Sequence, residues 1–482
     1  MHRKTPLIGA ILTLMVLVFI LAAPAAHTAS DAVPNQAIVA LNGRIPADII
    51  ARNYGAVVID SIPQVGAYLL ALPEKGDSDS LIQRLCENPA VDTSVENQIW
   101  RLPETDQISQ GFPDENVQPF LRGESPPSYY EQAATYDIGL DSALLLADGS
   151  GITVAVIDNG IVRDHPLVLA SSIATGYDFV DDDSDPIEEA GTMYGHGTFV
   201  TGVVLLTAPE CRILPMRAFN AEGEGQLFDI MQAIISAKLQ GAQVINMSFS
   251  TTQLSPTLNA ALNSGGANQS LMVASAGNDS AQITTYPAAH NLVMGISAIN
   301  EGEYVADFSN YGEYIELCAP GVDVYSALPG AESGWGTWSG TSFSTPFVAG
   351  VAALALSKDP DRSLQSVRQL MTDAARIELA GGTIVAPDIY YGWGLIDAWE
   401  TVASLSIGDL DGSGERDSTD LQLMSDFVNG NQNGGWGPPT AGLSNRLADI
   451  NCDGTVSILD LSAMARLLSN GRWDKVLPCV RP

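Results

Sequence analysis

Six short apolar runs between residues 152 and 320 constrain the fold of this chain more than any other feature of its sequence. Each run is almost continuously apolar, and segments with helical periodicity separate the runs. Strands of this kind are buried on both faces, as they are where helices cover both sides of a parallel sheet. The runs are ITVAVI, RILPMRAF, QVINMSFS, SLMVASAG, LVMGISAI and YIELCAP. We therefore predict an α/β domain over residues 129–405, with a mostly parallel sheet, helices on both faces and its chemistry at the carboxyl ends of the strands.

A second, smaller alternation of strands and helices precedes this domain. Four strand candidates, AIVALN, AVVIDSI, AYLLALP and DTSVENQIW, are interleaved with two helical segments, PADIIARNY and DSLIQRLCEN. The resulting β-α-β-β-α-β order predicts a small ferredoxin-like domain, which we assign to residues 30–103. Residues 104–128 are polar and rich in proline, which predicts an exposed linker that proteases can reach.

The amino terminus has the three parts of a secretory signal peptide. His2, Arg3 and Lys4 precede an apolar run of about seventeen residues, and small residues follow, including Ala23-Pro24-Ala25. We assign residues 1–29 to a signal peptide and expect a secreted, extracellular protein, free or associated with the cell surface. An uncleaved anchor is the alternative, because the run is at the short limit for crossing a bilayer. No other stretch is apolar enough to span a membrane.

Charge and cysteine content exclude other classes of function. A chain of 482 residues with a formal net charge of -34 lacks the clustered Lys and Arg that bind phosphates, so we expect no nucleic-acid partner. The five cysteines are scattered without a Cys-x-x-Cys pair, which argues against a zinc or redox site. Cys452 and Cys479 are close enough in sequence to pair, but spacing alone does not determine connectivity. The cysteines are Cys86, Cys211, Cys318, Cys452 and Cys479.

Three residues of the α/β domain have the chemistry of a nucleophilic site. Asp158 follows an apolar strand in VAVIDNGI, and His196 lies between two glycines at a predicted helix start in YGHGTFVTG. Ser342, in GTSFSTPFVAG, also lies at a predicted helix start, where free N–H groups and the helix dipole favour negative charge. Each residue taken alone is more often structural, so only the three segments together indicate a nucleophilic site.

These segments, with ASAGND, resemble in sequence and order the motifs of the subtilisin-like serine peptidases, or subtilases. The resemblance covers residues 129–405. It implies that Ser342 is the nucleophile, that His196 is general base and then general acid, and that Asp158 orients the imidazole. Asn278 and the Ser342 N–H would stabilise the oxyanion. The implied substrates are proteins or peptides.

The same resemblance assigns roles to neighbouring segments. Residues 30–103 resemble the inhibitory propeptide of subtilases, whose last strand leads into the active-site cleft. We expect cleavage within residues 102–128 to release it. The segment NMSFS resembles the stretch that pairs with an extended substrate, and Thr285 resembles the floor of the primary specificity pocket. A threonine there argues against a demand for basic side chains.

An acidic loop before His196 resembles the calcium site of thermitase-like subtilases. The matching residues are Asp178, Asp181, Asp183 and Asp185, but Ile187 stands where that pattern supplies an oxygen ligand. A solvated acidic loop is the alternative, and we assign no metal to this loop.

Two related stretches near the carboxyl terminus, GDLDGSGERDSTDL and ADINCDGTVSILDL, have the spacing of calcium-binding loops. Oxygen-bearing side chains at alternate positions wrap a hard cation, and glycine at the sixth position allows the sharp turn. We predict calcium as the cofactor. The predicted ligands are Asp409, Asp411, Ser413, Glu415 and Asp420 in the first loop, and Asp449, Asn451, Asp453, Thr455 and Asp460 in the second.

The duplication, the Asp at the last loop position and the helical run after each loop resemble a dockerin, which predicts a small all-α module over residues 406–482. Dockerins bind a cohesin through residues that here are Ser418-Thr419 and Ile458-Leu459. Because the two pairs differ, two equivalent binding faces are not expected. The resemblance implies a cohesin-like scaffold protein as a partner, while simple stabilisation of the terminus by calcium is the alternative.

We therefore predict a secreted serine endopeptidase that acts through an acyl-enzyme and carries a calcium-binding tail. The alternative from another class is a catalytically silent assembly module on the same scaffold. A lipase or esterase of the α/β-hydrolase type would require Gly-x-Ser-x-Gly and the order Ser, Asp, His, which the order of the motifs excludes.

Overall fold

A computed structural model of the chain describes residues 31–74, 77–104, 112–113, 125–265, 269–329, 334–406, 418–428 and 460–465. The predicted signal peptide, most of the predicted linker and eight of the ten predicted calcium ligands lie outside the described residues. Within the part described, no helix combines the length and the apolar character needed to cross a bilayer.

The amino-terminal domain has the predicted β-α-β-β-α-β order. Its antiparallel strands lie in the spatial order β4-β1-β3-β2, and two helices pack their apolar residues against the sheet. The elements are β1 (Ala32–Leu41), α1 (Ala47–Asn53), β2 (Val57–Ile62), β3 (Ala67–Ala71), α2 (Ser78–Cys86) and β4 (Val91–Arg101), with a 3-10 turn at Pro63–Val65.

The large domain is built on a parallel sheet. Its strands lie in the order β14-β13-β12-β11-β6-β9-β7, and β8 pairs with β9. Four of the central strands have no exposed residue, because helices cover both faces of the sheet. The strands are β6 (Thr153–Asp158), β7 (Ser172–Ile173), β8 (Tyr177–Asp178), β9 (Arg212–Arg217), β11 (Val244–Met247), β12 (Leu271–Ser275), β13 (Val293–Ile299) and β14 (Ile315–Pro320).

Alternate residues of β6 show how the helices cover the sheet. Val154 and Val156 belong to one apolar core, and Ala155 and Ile157 belong to another on the opposite face. The first core contains α7 (His196–Thr207) and α10 (Thr341–Lys358), and the second contains α8 (Leu227–Leu239) and α9 (Pro256–Asn263). This is the predicted α/β architecture.

A glycine allows the two helices of the first core to approach closely. A Cβ atom added at Gly350 of α10 would lie 2.3 Å from Cβ of Thr207 in α7. Any larger residue would push the helices apart, and overpacking of a buried contact typically costs about 1 to 3 kcal/mol. The contact matters for the site because α7 begins with His196 and α10 carries Ser342 in its first turn.

The amino-terminal domain joins the large domain through its last strand. Strand β4 pairs antiparallel with β10 (Glu224–Gln226), so that Arg101 lies opposite Glu224 and Ile99 lies opposite Gln226. The main chain of the first domain thus continues directly to the carboxyl-terminal edge of the parallel sheet.

Shorter elements complete the large domain. They are β5 (Phe112–Pro113), α3 (Pro127–Tyr130), α4 (Ala133–Asp137), α5 (Leu140–Ala143), α6 (Pro166–Ala170), β15 (Val324–Ala327), β16 (Trp335–Trp338), α11 (Leu364–Asp373), β17 (Glu378–Leu379), β18 (Gly382–Thr383) and α12 (Ala398–Ser406). Within the predicted linker, β5 pairs with β16 at Gly336 and Thr337.

The described part of the carboxyl-terminal module is helical, as predicted. It comprises α13 (Ser418–Val428) and residues 460–465. Asp420 and Asp460 are fully buried, and so are Met424 and Met464, each four residues further along. The two halves therefore bury equivalent residues.

Candidate active site

The four residues predicted for catalysis lie together at the carboxyl-terminal edge of the parallel sheet. Asp158 is the last residue of β6, and Asn278 follows β12, which is separated from β6 only by β11. His196 begins α7, and Ser342 is the second residue of α10. All four side chains are buried. Neighbouring parallel strands end at the same edge, which explains why segments far apart in sequence meet here.

The imidazole of His196 is held on one side by Asp158. Nδ1 of His196 lies 2.7 Å from Oδ1 of Asp158, and the same oxygen accepts the N–H of Asn159 at 2.8 Å. The rings of Trp338 and Phe343 flank the imidazole, with centroid distances of 5.6 and 5.5 Å. The ring is therefore fixed with Nε2 directed away from Asp158.

A carboxylate from the segment that follows β4 lies between His196 and Ser342. Oε2 of Glu104 accepts the hydroxyl of Ser342 at 2.8 Å and lies 3.2 Å from Nε2 of His196. The Ser342 hydroxyl is also 3.0 Å from the carbonyl oxygen of Ser248. Glu104 is 1% exposed, so it separates the two groups from water as well as from each other.

Asn278 directs its amide nitrogen toward the same carboxylate. Its Oδ1 accepts the N–H of Thr341 at 3.0 Å and the Thr341 hydroxyl at 2.8 Å, which fixes the orientation of the amide. Nδ2 then donates to Oε1 of Glu104 at 2.8 Å. The two oxygens of Glu104 thus contact a donor amide, a hydroxyl and an imidazole, the three kinds of group that the predicted mechanism requires.

The charges around His196 keep its ring protonated. Burial lowers the pKa of His196, but the negative charges and hydrogen bonds of Asp158 and Glu104 outweigh it and raise the pKa to about 10. An imidazolium cannot accept the proton of a serine hydroxyl. With Glu104 in place, the geometry therefore corresponds to a blocked site.

The end of β4 and the residues that follow it as far as Glu104 lie along the cleft. Beyond the pairing of β4 with β10, the N–H of Leu102 donates to the carbonyl of Gly223 at 3.0 Å, and Arg101 forms an antiparallel bridge with Ser250. Ser250 belongs to the segment NMSFS, which was predicted to pair with an extended substrate. The main chain of Arg101 is therefore paired on both sides, with Glu224 on one side and with Ser250 on the other.

A pocket of about 180 Å³ opens beside this strand. Pro103, Asn278 and Thr285 line it, together with Ser250 and Asp279. Thr285 is 1% exposed, and its hydroxyl donates to the carbonyl of Ala276 at 2.8 Å. The residue predicted as the pocket floor therefore presents little free polar surface.

Glu104 is the functional residue that the sequence did not reveal. Its position predicts the start of an exposed linker, whereas Leu102 and Glu104 are buried in the cleft. Composition misled here, since the residues that follow are polar and proline-rich. The pairing of β4 with β10 carries the chain past the predicted domain end and into the site.

The acidic loop before His196 is held by an arginine from β9. Arg217 is 1% exposed, and its guanidinium forms ion pairs with Asp178, Asp181 and, at 2.8 Å, Glu189. Asp185 pairs separately with Arg163 at 2.8 Å. No set of three or more acidic, histidine or cysteine side chains among the described residues is arranged to hold a metal ion.

Only the last ligand of each predicted calcium loop is described. Asp420 and Asp460 lie at the starts of the two described helical segments, and both carboxylates are fully buried. Carboxylates supply the oxygen ligands that a hard cation such as calcium takes. The other eight predicted ligands lie outside the described residues.

Three cysteines are described, and each is a free thiol. Cys211 and Cys318 are buried in the large domain, and burial raises the pKa of Cys211 to about 12. A thiol of that pKa is unreactive at neutral pH. Cys452 and Cys479 lie outside the described residues, so their pairing stays a prediction.

Three family profiles match successive parts of the chain. A profile described as the Fervidolysin N-terminal prodomain matches residues 21–96, the Subtilase family profile matches residues 149–394, and the Dockerin type I domain profile matches residues 407–469.

Characterised proteins of similar sequence are proteases. The chain is 32% identical to the thermophilic serine proteinase of Bacillus sp. (strain AK1) over 339 residues, which is 68% of this chain and 76% of that protein. It is 33% identical to thermitase of Thermoactinomyces vulgaris over 53% of this chain and 90% of thermitase. It is 36% identical to the halolysin-like extracellular serine protease Nep of Natrialba magadii over 56% of this chain, but that match spans only 51% of Nep.

Solved structures show the same fold. The crystal structure of fervidolysin from Fervidobacterium pennivorans, described as a keratinolytic enzyme related to subtilisin, superposes with a TM-score of 0.63 at 23% identity. The superposition covers 77% of this chain and 61% of fervidolysin. A lanthipeptide protease superposes with a TM-score of 0.52 at 25% identity, over 57% of this chain and 94% of that structure.

Proposed function

The chain belongs to the subtilase family and is a subtilisin-like serine protease, and we propose that it is a secreted endopeptidase held latent by its amino-terminal domain. A dockerin domain follows the peptidase domain. The observation that carries the proposal is the position of the Glu104 carboxylate, which contacts Ser342, His196 and Asn278 together. These are the groups that would attack, transfer a proton and bind an oxyanion.

In the proposed reaction, Oγ of Ser342 attacks the carbonyl carbon of the scissile peptide bond while Nε2 of His196 takes the hydroxyl proton. Asp158 stabilises the resulting imidazolium through Nδ1. Nδ2 of Asn278, oriented by Thr341, donates to the developing oxyanion. The imidazolium then protonates the leaving amine, and water attacks the acyl-enzyme with His196 again as base.

Labelling with a fluorophosphonate tests this function directly. A recognition sequence for an unrelated peptidase, inserted between residues 114 and 124, gives a chain that can be cut on demand; we call it the cleavable chain. After cutting, the probe should attach to Ser342, as peptide mass spectrometry would show, and His196→Ala should abolish the attachment. A properly folded, cut chain that stays unlabelled would support the catalytically silent alternative.

Glu104 provides the proposed basis of latency. It separates Ser342 from His196, occupies the amide of Asn278 and keeps His196 protonated. The pairing of residues 99–104 with β10 and Ser250 holds it in place. Cleavage within residues 102–128 on the carboxyl side of Glu104, followed by dissociation of the amino-terminal fragment, would remove all of these contacts at once.

Dissociation of that fragment should depend on pH. Asp229, at the start of α8, lies where the amino-terminal domain packs: its neighbour Gln232 donates to Asp60 of that domain at 3.0 Å. Burial, followed by the negative charges of Asp60, Asp178 and Asp182, raises the pKa of Asp229 to about 7. Release removes Asp60 and exposes Asp229, so its pKa should fall in the free enzyme.

Since the bound state holds the proton more tightly, the fragment should bind best at acidic pH and more weakly as pH rises through about 7. Each unit of pKa difference corresponds to about a tenfold change in affinity. His196, with a pKa of about 10 in the bound state, acts in the same direction at higher pH. Inhibition constants of the separated fragment, measured from acid to alkaline pH, would show this decline.

The variant Asp229→Asn should flatten the decline below about pH 7 and leave the part due to His196. Asp361→Asn, which changes an exposed carboxylate of the same domain, serves as the control. Equal pH dependence in the wild type and in Asp229→Asn would contradict this role of Asp229.

For the dockerin domain we propose calcium binding and docking to a cohesin-like scaffold protein. The match to the Dockerin type I domain, and the carboxylates of Asp420 and Asp460 at the last position of each loop, support the first part. When bound, calcium would neutralise the carboxylates that each loop supplies. Export by the predicted signal peptide, outside the described residues, would bring the protein to such a scaffold.

Removal of calcium should unfold the dockerin domain and leave the peptidase domain intact. Calorimetric titration of the full chain should detect two sites, with the first loop weaker because Ser413 replaces a carboxylate. Asp460→Asn should weaken the stronger site by about tenfold or more, whereas Asp361→Asn should not. Tight binding of calcium to Asp460→Asn would refute the assignment of that ligand.

A further inference from the structure

We propose that Glu188 is a positioning residue of the peptidase, whose buried carboxylate fixes the helix start that carries His196. The inference rests on the proposed role of His196 as general base. Glu188 belongs to neither the catalytic motifs nor the group of carboxylates bound by Arg217. It is 4% exposed and lies between the acidic loop and α7.

Both oxygens of Glu188 bind donors at the beginning of α7. Oε2 accepts the N–H of Gly195, while Oε1 accepts the N–H of Thr198 at 2.5 Å and its hydroxyl at 2.7 Å. These N–H groups belong to the first turn, where a helix has no internal acceptors for them. His196 lies between the two anchored residues, so rotation or displacement of the turn would move its ring.

The same carboxylate connects α7 to the segment that follows Asp158. The Thr198 hydroxyl that donates to Glu188 accepts the N–H of Val162 at 2.8 Å. The Glu188 main chain also contacts this segment, because its N–H donates to the carbonyl of Ile161 at 3.2 Å. Glu188 is therefore bound to both elements whose separation determines the 2.7 Å contact between Asp158 and His196.

The converging donors explain why a carboxylate is needed at this position. Three donors point at two oxygens, and an ionised carboxylate is the only side chain of this size that accepts at both ends without presenting a hydrogen of its own. A glutamine would direct its N–H₂ group toward either Gly195 or Thr198. At that end of the side chain, the hydrogen bond would be lost and two hydrogen-bond donors would face each other.

The donors around Glu188 favour its ionised form, which burial and the nearby Asp158 disfavour. Burial, opposed by the hydrogen bonds from Thr198 and Gly195 and assisted by the charge of Asp158, raises the pKa of Glu188 to about 7. A carboxylate that served only to solubilise the loop would be exposed, as Glu189 is with 60% of its side chain accessible. The burial of Glu188 therefore suits a role in holding the start of α7 in place.

The variant Glu188→Gln in the cleavable chain tests this role, with Glu189→Gln as the matched control. We expect Glu188→Gln to lower kcat about 10- to 100-fold while KM changes less than about twofold, since a small misplacement of a catalytic group affects the chemical step. Glu189→Gln should leave both constants near those of the wild type. The labelling rate of Ser342 should fall in parallel with kcat.

A second measurement does not depend on activity. In the uncut chain, the proton between His196 Nδ1 and Asp158 should give a low-field NMR signal. Glu188→Gln should shift or broaden this signal, and Glu189→Gln should not. Failure of the wild type to label at Ser342 would defeat the proposed function, whereas normal kcat and an unchanged signal in Glu188→Gln would defeat this inference alone.

If Glu188→Gln does not fold, a pair of substitutions at Thr198 tests the positioning role of Glu188 instead. Thr198→Val removes the hydroxyl that links Glu188 to Val162 and keeps the shape of the side chain, and Thr198→Ser keeps the hydroxyl. We expect Thr198→Val to lower kcat and Thr198→Ser to retain it. Equal kcat values for the two variants at the wild-type level would overturn the proposal, because no link through the hydroxyl would then affect His196.

Discussion

Replacing Ser342 with alanine should lower kcat for casein by about 10⁶, the size of the loss known for subtilisin. Without the hydroxyl no acyl-enzyme can form, and the remaining activity comes from binding and from Asn278 alone. The comparison requires that the cleavable chain be cut and its amino-terminal fragment be removed at alkaline pH. Otherwise the intact wild-type chain would itself be inactive, and the loss would be underestimated.

Ser344→Ala provides the matched control for this substitution. Ser344 lies in the same turn of α10 and is equally buried, but its hydroxyl donates to the carbonyl of Thr341 at 2.9 Å rather than facing the cleft. The Ser344→Ala substitution should therefore change kcat only slightly. Undiminished hydrolysis of casein by purified Ser342→Ala would rule out Ser342 as the nucleophile.

Replacing Glu104 with alanine should activate the uncut chain. The substitution removes the contacts of the carboxylate with Ser342, His196 and Asn278, and the pKa of His196 should fall toward its ordinary range. A hydrogen bond to a charged group contributes about 1.5 to 3 kcal/mol, which corresponds to about a 10- to 100-fold change in the accessible population. The labelling rate of Ser342 by a fluorophosphonate should rise by at least that factor.

Glu87→Ala, an exposed carboxylate in the same amino-terminal domain, is the control for general effects of charge. Gel analysis at each time point must show that the Glu104→Ala chain is still uncut while it is labelled. Glu104→Gln should give an intermediate rate, because an amide oxygen can accept one of the hydrogen bonds. If Glu104→Ala were labelled as slowly as the wild type, latency would depend on the main chain of residues 99–103 and not on the carboxylate.

The fold was predictable because its main elements are recorded locally in the sequence. Continuous apolar runs such as ITVAVI correspond to β6 and its neighbours, which are buried on both faces. The predicted β-α-β-β-α-β order of the first domain is also confirmed, since strand and helix periods alternate clearly there. Motifs placed Asp158, His196, Asn278 and Ser342 at strand ends and helix starts, and the structure brings these residues together.

Residues that act through long-range contacts were not predictable. Glu104 follows a strand whose partner, β10, lies more than 120 residues away, and no local pattern distinguishes it from the polar residues that follow. Arg217 is likewise absent from the motif that drew attention to Asp178 and Asp181, because it comes from β9. Glu188 stands next to Glu189 in an acidic stretch, and only its burial and its bonds to Gly195 and Thr198 distinguish the two residues.

The pairing of β4 with β10 has a consequence for what the released enzyme can digest. When residues 99–104 leave, Glu224–Gln226 and Ser250 become two open backbone edges with a slot between them. A polypeptide can bind between these edges only if several consecutive residues give up the backbone hydrogen bonds of their own fold. Digestion should therefore begin at unfolded stretches, chain ends and loose loops, and the rate at which a target protein opens should set how fast it is degraded.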